Sequence, residues 1–248
     1  MILWAIVPAK DPAMAKTRLA PALSGAARQR LSLGLLEHTV RAALSSPAVA
    51  RVAVVSAAAE PLALAERLGA LPLREAGPTG AAGPLGALIE AGLNAALSQA
   101  RRAALAAGAD AVLVLHADLP LLTSAAIDAM VAALPGGPGA IIAQDRNRAG
   151  TNALLLRPPA ALPFLFGRRS FAWHVQAAWE HDLPYVVAAD PAFAADLDTL
   201  EDLAWLRKWA ARAGGDPWLD ALIASLEPEW QPPISAAKDE QHRLRCGP

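Results

Sequence analysis

Cysteine is almost absent from this 248-residue chain, whose one thiol, Cys246, lies beside the C-terminus. That excludes an internal disulfide framework and a cysteine-built zinc site, and it points to a reducing, cytoplasmic compartment. No stretch of about 20 uncharged apolar residues occurs, and the apolar run Met1 to Val7 is too short for a signal-peptide core, so the chain reads as soluble and unexported. Excess charge is also lacking. With 22 basic against 23 acidic residues, the formal net charge is -1. No global field recruits nucleic acid or an anionic membrane, and any anion site has to be local. Glycine is missing from Val7 to Lys16, which argues against a dinucleotide-binding loop after the first apolar run. No internal repeat is visible.

What is present is apolar: a hydrophobic content of 54% suffices for one sizeable core. Ile2 to Val7, stopped by Pro8, has the continuous pattern of a strand buried on both faces. Ser24 caps an expected helix to about Leu44, with Leu31, Leu35, Leu36, Val40 and Leu44 on one face. Strands are expected at Val52–Val55, Leu71–Leu73, Ala111–Leu115, Ala140–Ala143, Ala153–Leu156 and Tyr185–Ala188. Helices are expected between them at Pro61–Leu68, about Leu88–Ala107, from Thr123 or Ser124 to Leu134, and from an N-cap at Ser170 to His181. This alternation predicts an α/β fold with a largely parallel sheet. Helices from Thr199 to Arg212 and from Pro217 to Leu226 follow, then a proline-rich, charged tail after Pro228. Trp205, Trp209, Trp218 and Trp230 fall in this last section and read as core or subunit packing.

The chain is organised around Ala195 to Leu203. If Ala194 to Asp198 ends a strand, Asp196 and Asp198 share a face. Two carboxylates about 5 Å apart repel by about 3 kcal/mol at an effective dielectric near 20, so the pair calls for a cation, a shared proton or open solvent. Thr199 and Asp202 resemble a capping box, with Glu201 near the positive helix end. Capping explains those three residues and leaves the two aspartates open.

Asp118, just past the Ala111–Leu115 strand, joins them at the carboxyl edge, where α/β sheets collect ligands. Opposite lies the Pro8–Ala22 loop with Lys10, Lys16 and Arg18. Gly77 to Gly86 opens a helix and is either a phosphate or base contact or a linker. Gln144 to Asn152, with two arginines, is either an anion loop or an exposed turn. Three acids facing a lysine-rich loop suit metal-assisted nucleotidyl transfer, because hard carboxylate oxygens hold magnesium while lysine and arginine neutralise phosphates.

Seven short motifs then occur in order: Val7-Pro8-Ala9-Lys10, Ala15-Lys16-Thr17-Arg18-Leu19, Gly92-Leu93-Asn94, Asp118-Leu119-Pro120, Gly150-Thr151-Asn152, Phe166-Gly167 with Ser170-Phe171 and His174, and Asp196-Leu197-Asp198-Thr199. Together, over residues 2 to 206, they resemble the 2-phospho-L-lactate guanylyltransferase family, which includes phosphoenolpyruvate guanylyltransferases of coenzyme F-420 biosynthesis. The resemblance implies a Rossmann-like mixed, mostly parallel sheet with helices on both faces, similar to nucleotide-diphospho-sugar transferases. It implies magnesium on Asp118, Asp196 and Asp198, and a phosphorylated three-carbon acid on Lys16, Thr151, Gly167 and Ser170. Catalysis falls to Lys16 and Asp118. GTP goes to Lys10, Arg18 and Asn94 by their chemistry and position. A homodimer is expected from the resemblance alone. The family's loop before Gly-Thr-Asn is often richer in glycine, whereas this chain has Arg148-Ala149. Residues 1–209 are expected to form the nucleotidyltransferase domain and 210–248 a helical extension with a poorly ordered tail. Rival readings are another sugar-phosphate or molybdopterin nucleotidyltransferase, whose first loop usually carries glycines, and a non-catalytic assembly subunit.

Overall fold

The computed structural model describes residues 1–76, 92–213 and 216–226. Strands β1 (Leu3–Pro8), β2 (Arg51–Ser56), β3 (Leu71–Arg74), β4 (Ala111–Leu115), β5 (Gly139–Gln144), β6 (Thr151–Arg157) and β7 (Tyr185–Ala188) form a seven-stranded sheet in the order β3-β2-β1-β4-β6-β5-β7. All neighbours pair in parallel except at β6, which runs antiparallel to β4 and to β5. The expected mixed, mostly parallel sheet is therefore the observed one.

The helices are α1 (Gly25–Leu44), α2 (Ala59–Leu68), α3 (Leu93–Ala106), α4 (Ser124–Ala132), α5 (Ser170–Glu180), the short α6 (Pro191–Ala194), α7 (Leu200–Ala213) and α8 (Pro217–Leu226). Alternate residues of the central strands feed two cores, as the strand period of two requires. Leu3, Ala5, Val7, Leu113 and Leu115 meet Leu36 and Val40 of α1 and Ile127 of α4. Trp4, Ile6, Val112 and Val114 meet Leu97 and Ala100 of α3 and Ala177 and Ala178 of α5. A third cluster joins Leu31 and Leu35 on α1 to Leu203 and Leu206 on α7 and Leu219 and Leu226 on α8. Trp205, Trp209 and Trp218 lie against it, as packing residues.

Capping follows the expected chemistry at several ends. Ser24 Oγ accepts from Ala27 N–H at 3.1 Å, and Thr123 Oγ1 from Ala126 N–H at 3.1 Å. Three expectations are corrected. The segment before Asp198 is no strand: Pro191–Ala194 is a helical turn capped by Asp190, and residues 195–198 are irregular. Its backbone bonds go to loops instead of a ladder, with Leu197 N–H donating to Asp118 O at 3.1 Å and Arg146 N–H to Ala194 O at 2.9 Å. Strand β6 starts at Thr151, two residues before the expected Ala153. Ser170 is not an N-cap, because Arg169 holds that position in a left-handed conformation and Ser170 opens the helix. Gly77–Gly86, the start of the helix expected from Leu88, the tail after Pro228, Trp230 and Cys246 lie outside the described residues.

Candidate active site

The loop after β1 is shaped to aim one ammonium group. Asp11 caps a turn at Pro12–Met14 through Ala13 N–H at 2.9 Å, and a second turn at Thr17–Leu19 buries Leu19. Between them Lys16 adopts the left-handed conformation, φ 55°, which a non-glycine residue holds at a cost. This turn directs Nζ inward, to 2.6 Å from Asp118 Oδ2 and 3.5 Å from Asp198 Oδ1. Exposed Arg18 reaches Asp198 Oδ2 at 3.2 Å. Lys10, Lys16, Arg18, His116, Asp118 and Asp198 all line one cavity of about 670 Å3, a volume within the range of small-ligand sites.

Burial and charge compete in this cluster. Burial alone pushes the Lys16 ammonium down, yet Asp118, followed by Asp198 and Asp196, holds its pKa above the usual lysine value. Burial likewise pushes Asp118 up, and Lys16 outweighs it, so the carboxyl titrates below its ordinary range. The pair is ionised on both sides. Asp196 lacks such a cation: burial first, then the charge of Asp118, pushes its carboxyl up to about 6. His116 is shifted down by burial and by the two lysines, Lys16 and Lys10.

A cation site has support in the donors and lacks it in their arrangement. Asp118 Oδ1 is buried with no hydrogen-bond partner among the described residues, and the raised Asp196 carboxyl faces the charge of Asp118. Hard oxygen donors with an unsatisfied lone pair suit magnesium. Among the described residues, however, no three carboxyl, imidazole or thiol groups stand together to hold an ion. As folded, Asp198 is engaged by Lys16 and Arg18, and the ammonium of Lys16 is the cation between Asp118 and Asp198.

The residues expected to hold the acceptor form a second group. Pairing of Ala143 with Ala153 and of Gln144 with Thr151 makes Asn152 the extra residue of a bulge. A bulge reverses the alternation of side chains beyond it. Thr151 thereby faces α5, with Oγ1 3.0 Å from His174 Nδ1, while Asn152 Nδ2 donates to Phe193 O at 2.9 Å and lies 3.5 Å from Asp196 Oδ1. Ser170 Oγ accepts from Thr151 N–H at 2.9 Å, which is why it caps the strand instead of its own helix. Gly167 is exposed at φ 134°, a backbone region that favours glycine. Thr151, Gly167 and Ser170 do not line the cavity described above. Asn94 does not either: its Nδ2 donates to Phe166 O at 3.0 Å and its Oδ1 accepts from Phe166 N–H at 2.9 Å. One donor and one acceptor site of its amide are thus taken up in holding the loop before α5.

Sequence reasoning gave no role to His116, Asn152 or His174. The position of His116, two residues before Asp118 at a strand end, was a usable signal. The bulge that aims Asn152 had none.

Comparison with known proteins bears on the family and the fold. A family model described as "Guanylyl transferase CofC like" matches residues 3–229. A phosphoenolpyruvate guanylyltransferase of Rubrobacter xylanophilus is 44% identical over 206 residues, 83% of this chain and 94% of that protein. A 3-phospho-D-glycerate guanylyltransferase of Colwellia psychrerythraea is 31% identical over 80% of this chain and 88% of that protein. Among solved structures, a putative nucleotide-diphospho-sugar transferase from Desulfovibrio desulfuricans superposes with a TM-score of 0.69 at 16% identity, covering 91% of this chain and 99% of its own.

Proposed function

The chain belongs to the CofC-like guanylyl transferase family, and from that premise we propose that it transfers GMP from GTP to the phosphate of phosphoenolpyruvate, releasing pyrophosphate. The observation that carries this reading is Lys16, strained at φ 55° and buried against Asp118 at the wall of a cavity rimmed by further cations. The acceptor's phosphate oxygen forms a bond to the α-phosphorus of GTP as the bond from that phosphorus to the bridging oxygen breaks, and pyrophosphate departs with the electron pair. A phosphomonoester whose second pKa is about 6 is already largely a dianion at neutral pH, so no protein base is required. The difficulty is bringing two anions together. Lys10, Lys16 and Arg18 supply the compensating charge, and the Gly167 loop with Thr151 and Ser170 orients the acid.

Magnesium would be held by Asp118, Asp196 and Asp198, the last exchanging its lysine and arginine partners for the ion. Such an ion would supply positive charge to offset that of the phosphates. The product, a guanosine diphosphate-linked three-carbon acid, belongs by the resemblance to coenzyme F-420 biosynthesis, in a cytoplasmic homodimer.

A second acceptor is favoured by a specific observation, since a relative named for 3-phospho-D-glycerate is 31% identical. Phosphoenolpyruvate, 3-phosphoglycerate and 2-phospho-L-lactate differ by small groups, worth about 1–3 kcal/mol in discrimination. Incubating the protein with GTP, magnesium and each acid in turn, and measuring pyrophosphate, tests the reading. Phosphoenolpyruvate is expected to be preferred, and no release with any of the three would overturn it. Lys16→Met and Asp118→Asn are each expected to lower turnover by about a hundredfold or more with circular dichroism unchanged. Full turnover by Asp118→Asn would remove the metal assignment.

A further inference from the structure

His174 is a motif residue to which the transfer chemistry gives no task. It is fully buried on α5, and both ring nitrogens are engaged. Leu165 N–H donates to Nε2 at 3.0 Å, and Nδ1 lies 3.0 Å from Thr151 Oγ1. A backbone amide can only donate, so Nε2 is the bare nitrogen and the neutral ring carries its proton on Nδ1. Thr151 Oγ1 then accepts from His174, and its own hydroxyl proton is directed elsewhere.

The ring thus ties β6 to the loop that precedes α5. That loop is also held at Phe166 by the Asn94 amide, at Ser170 by Thr151 N–H, and at Phe171, whose N–H donates to Ala149 O at 3.3 Å. The Phe166 ring meets His174 edge-on at 4.9 Å. Between these anchors Gly167, Arg168 and Arg169 remain exposed, with Gly167 and Arg169 at positive φ. A short exposed segment fixed on both sides is a rigid presentation surface, and the His174 side chain is bonded both to this loop and to Thr151.

We propose that His174, in its Nδ1–H form, is a positioning residue for the phosphorylated acid: it sets the Gly167 loop against Thr151 and thereby governs acceptor affinity, leaving nucleotide affinity and the chemical step alone. The proposal rests on the guanylyltransferase reading above.

Its test separates a positioning role from a packing one. His174→Leu removes both hydrogen bonds, whereas His174→Gln keeps one acceptor and one donor. His174→Leu is expected to raise the acceptor KM about tenfold or more while kcat and the KM for GTP stay within about twofold, and His174→Gln is expected to recover most of that loss. An unchanged acceptor KM in the Leu variant, or an equal rise for GTP, overturns the proposal. Nitrogen-15 histidine spectra of the wild-type protein give a readout independent of variant folding. Nδ1 is expected to be protonated and Nε2 bare at neutral pH, with the His174 signals moving on addition of phosphoenolpyruvate and not of GTP. A protonated Nε2, or signals insensitive to phosphoenolpyruvate, also overturns it. Failure of the guanylyltransferase reading looks different: the wild-type protein itself then releases no pyrophosphate.

Discussion

At the residue scale, two buried groups give the protein opposed responses to acid. Burial, then the charge of His116, lowers the pKa of His174 from 6.5 to about 4. Between those values the unfolded chain binds a proton that the folded chain refuses, so this group makes stability rise with pH through the window. Asp196 works the other way: its pKa rises from 3.8 to about 6, so the folded state binds the extra proton and stability falls as pH rises across that window. At about 1.4 kcal/mol per unit, each effect is on the order of 3 kcal/mol at most. Asp196→Asn is therefore expected to raise the urea midpoint above pH 6 in the presence of a chelator, and to abolish pyrophosphate release. His174→Gln is expected to flatten the loss of stability below pH 6. Urea titrations of wild type and both variants across this range check the signs, and a lower midpoint for Asp196→Asn above pH 6 would contradict the first. The meeting of Lys16 with Asp118 and Asp198 was legible in the sequence, because a cationic loop after one strand and an acid after another fall at one sheet edge. The left-handed turn that aims Lys16 was not, since nothing in Ala15-Lys16-Thr17 demands positive φ.

At the scale of elements, the start of α7 links folding to the site. Thr199 Oγ1 accepts from Asp202 N–H at 3.2 Å, and Asp202 Oδ2 accepts from the backbone N–H groups of Asp198 and Thr199 at 3.1 and 2.8 Å. The capping box read from the sequence is the one that forms. Its other carboxylate oxygen meets Arg146 at 2.5 Å, and that guanidinium lies over the Trp205 ring. Thr199→Ala is expected to cost about 1 kcal/mol, as a lost cap does. Asp202→Ala leaves Arg146 half-buried without its carboxylate and frees the N–H of Asp198, so a cost of about 3–5 kcal/mol is expected. Equal thermal shifts for the two variants would show that Arg146 adds nothing. The mistaken strand before Asp198 has a physical cause: the alternation of Asp196, buried Leu197 and Asp198 is real, but the partners are the Asp118 carbonyl and the 145–152 loop, and apolar alternation does not name its partner. The clamp that Asn94 makes on Phe166 was hidden for a related reason. An amide in a motif has the same letters whether it meets a ligand or clamps a loop.

For the whole molecule, α8 packs on the cluster shared by α1 and α7, with Leu219 and Leu226 buried and Trp218 stacked on His38 at 3.7 Å. Leu219→Ala is expected to cost about 2–5 kcal/mol. Its unfolding, followed by tryptophan fluorescence and by loss of pyrophosphate release, is expected to remain one coincident transition, because the same leucines support the helix that follows the 15–19 loop. An early fluorescence phase with activity retained would make α8 a separate unit. By itself, the order of apolar runs, caps and charged loops determined the α/β class, most element positions and the place of Asp118 just past β4, since burial period and side-chain chemistry are local properties of the chain. Tertiary structure alone decided how the groups meet: the antiparallel β6 and its Asn152 bulge, the turn that sets the ammonium of Lys16 between Asp118 and Asp198, and the imidazole of His174 between Thr151 and Leu165. Those pairings join residues far apart in the chain, and their geometry is set by how the sheet twists and the loops close over it, which no local pattern encodes.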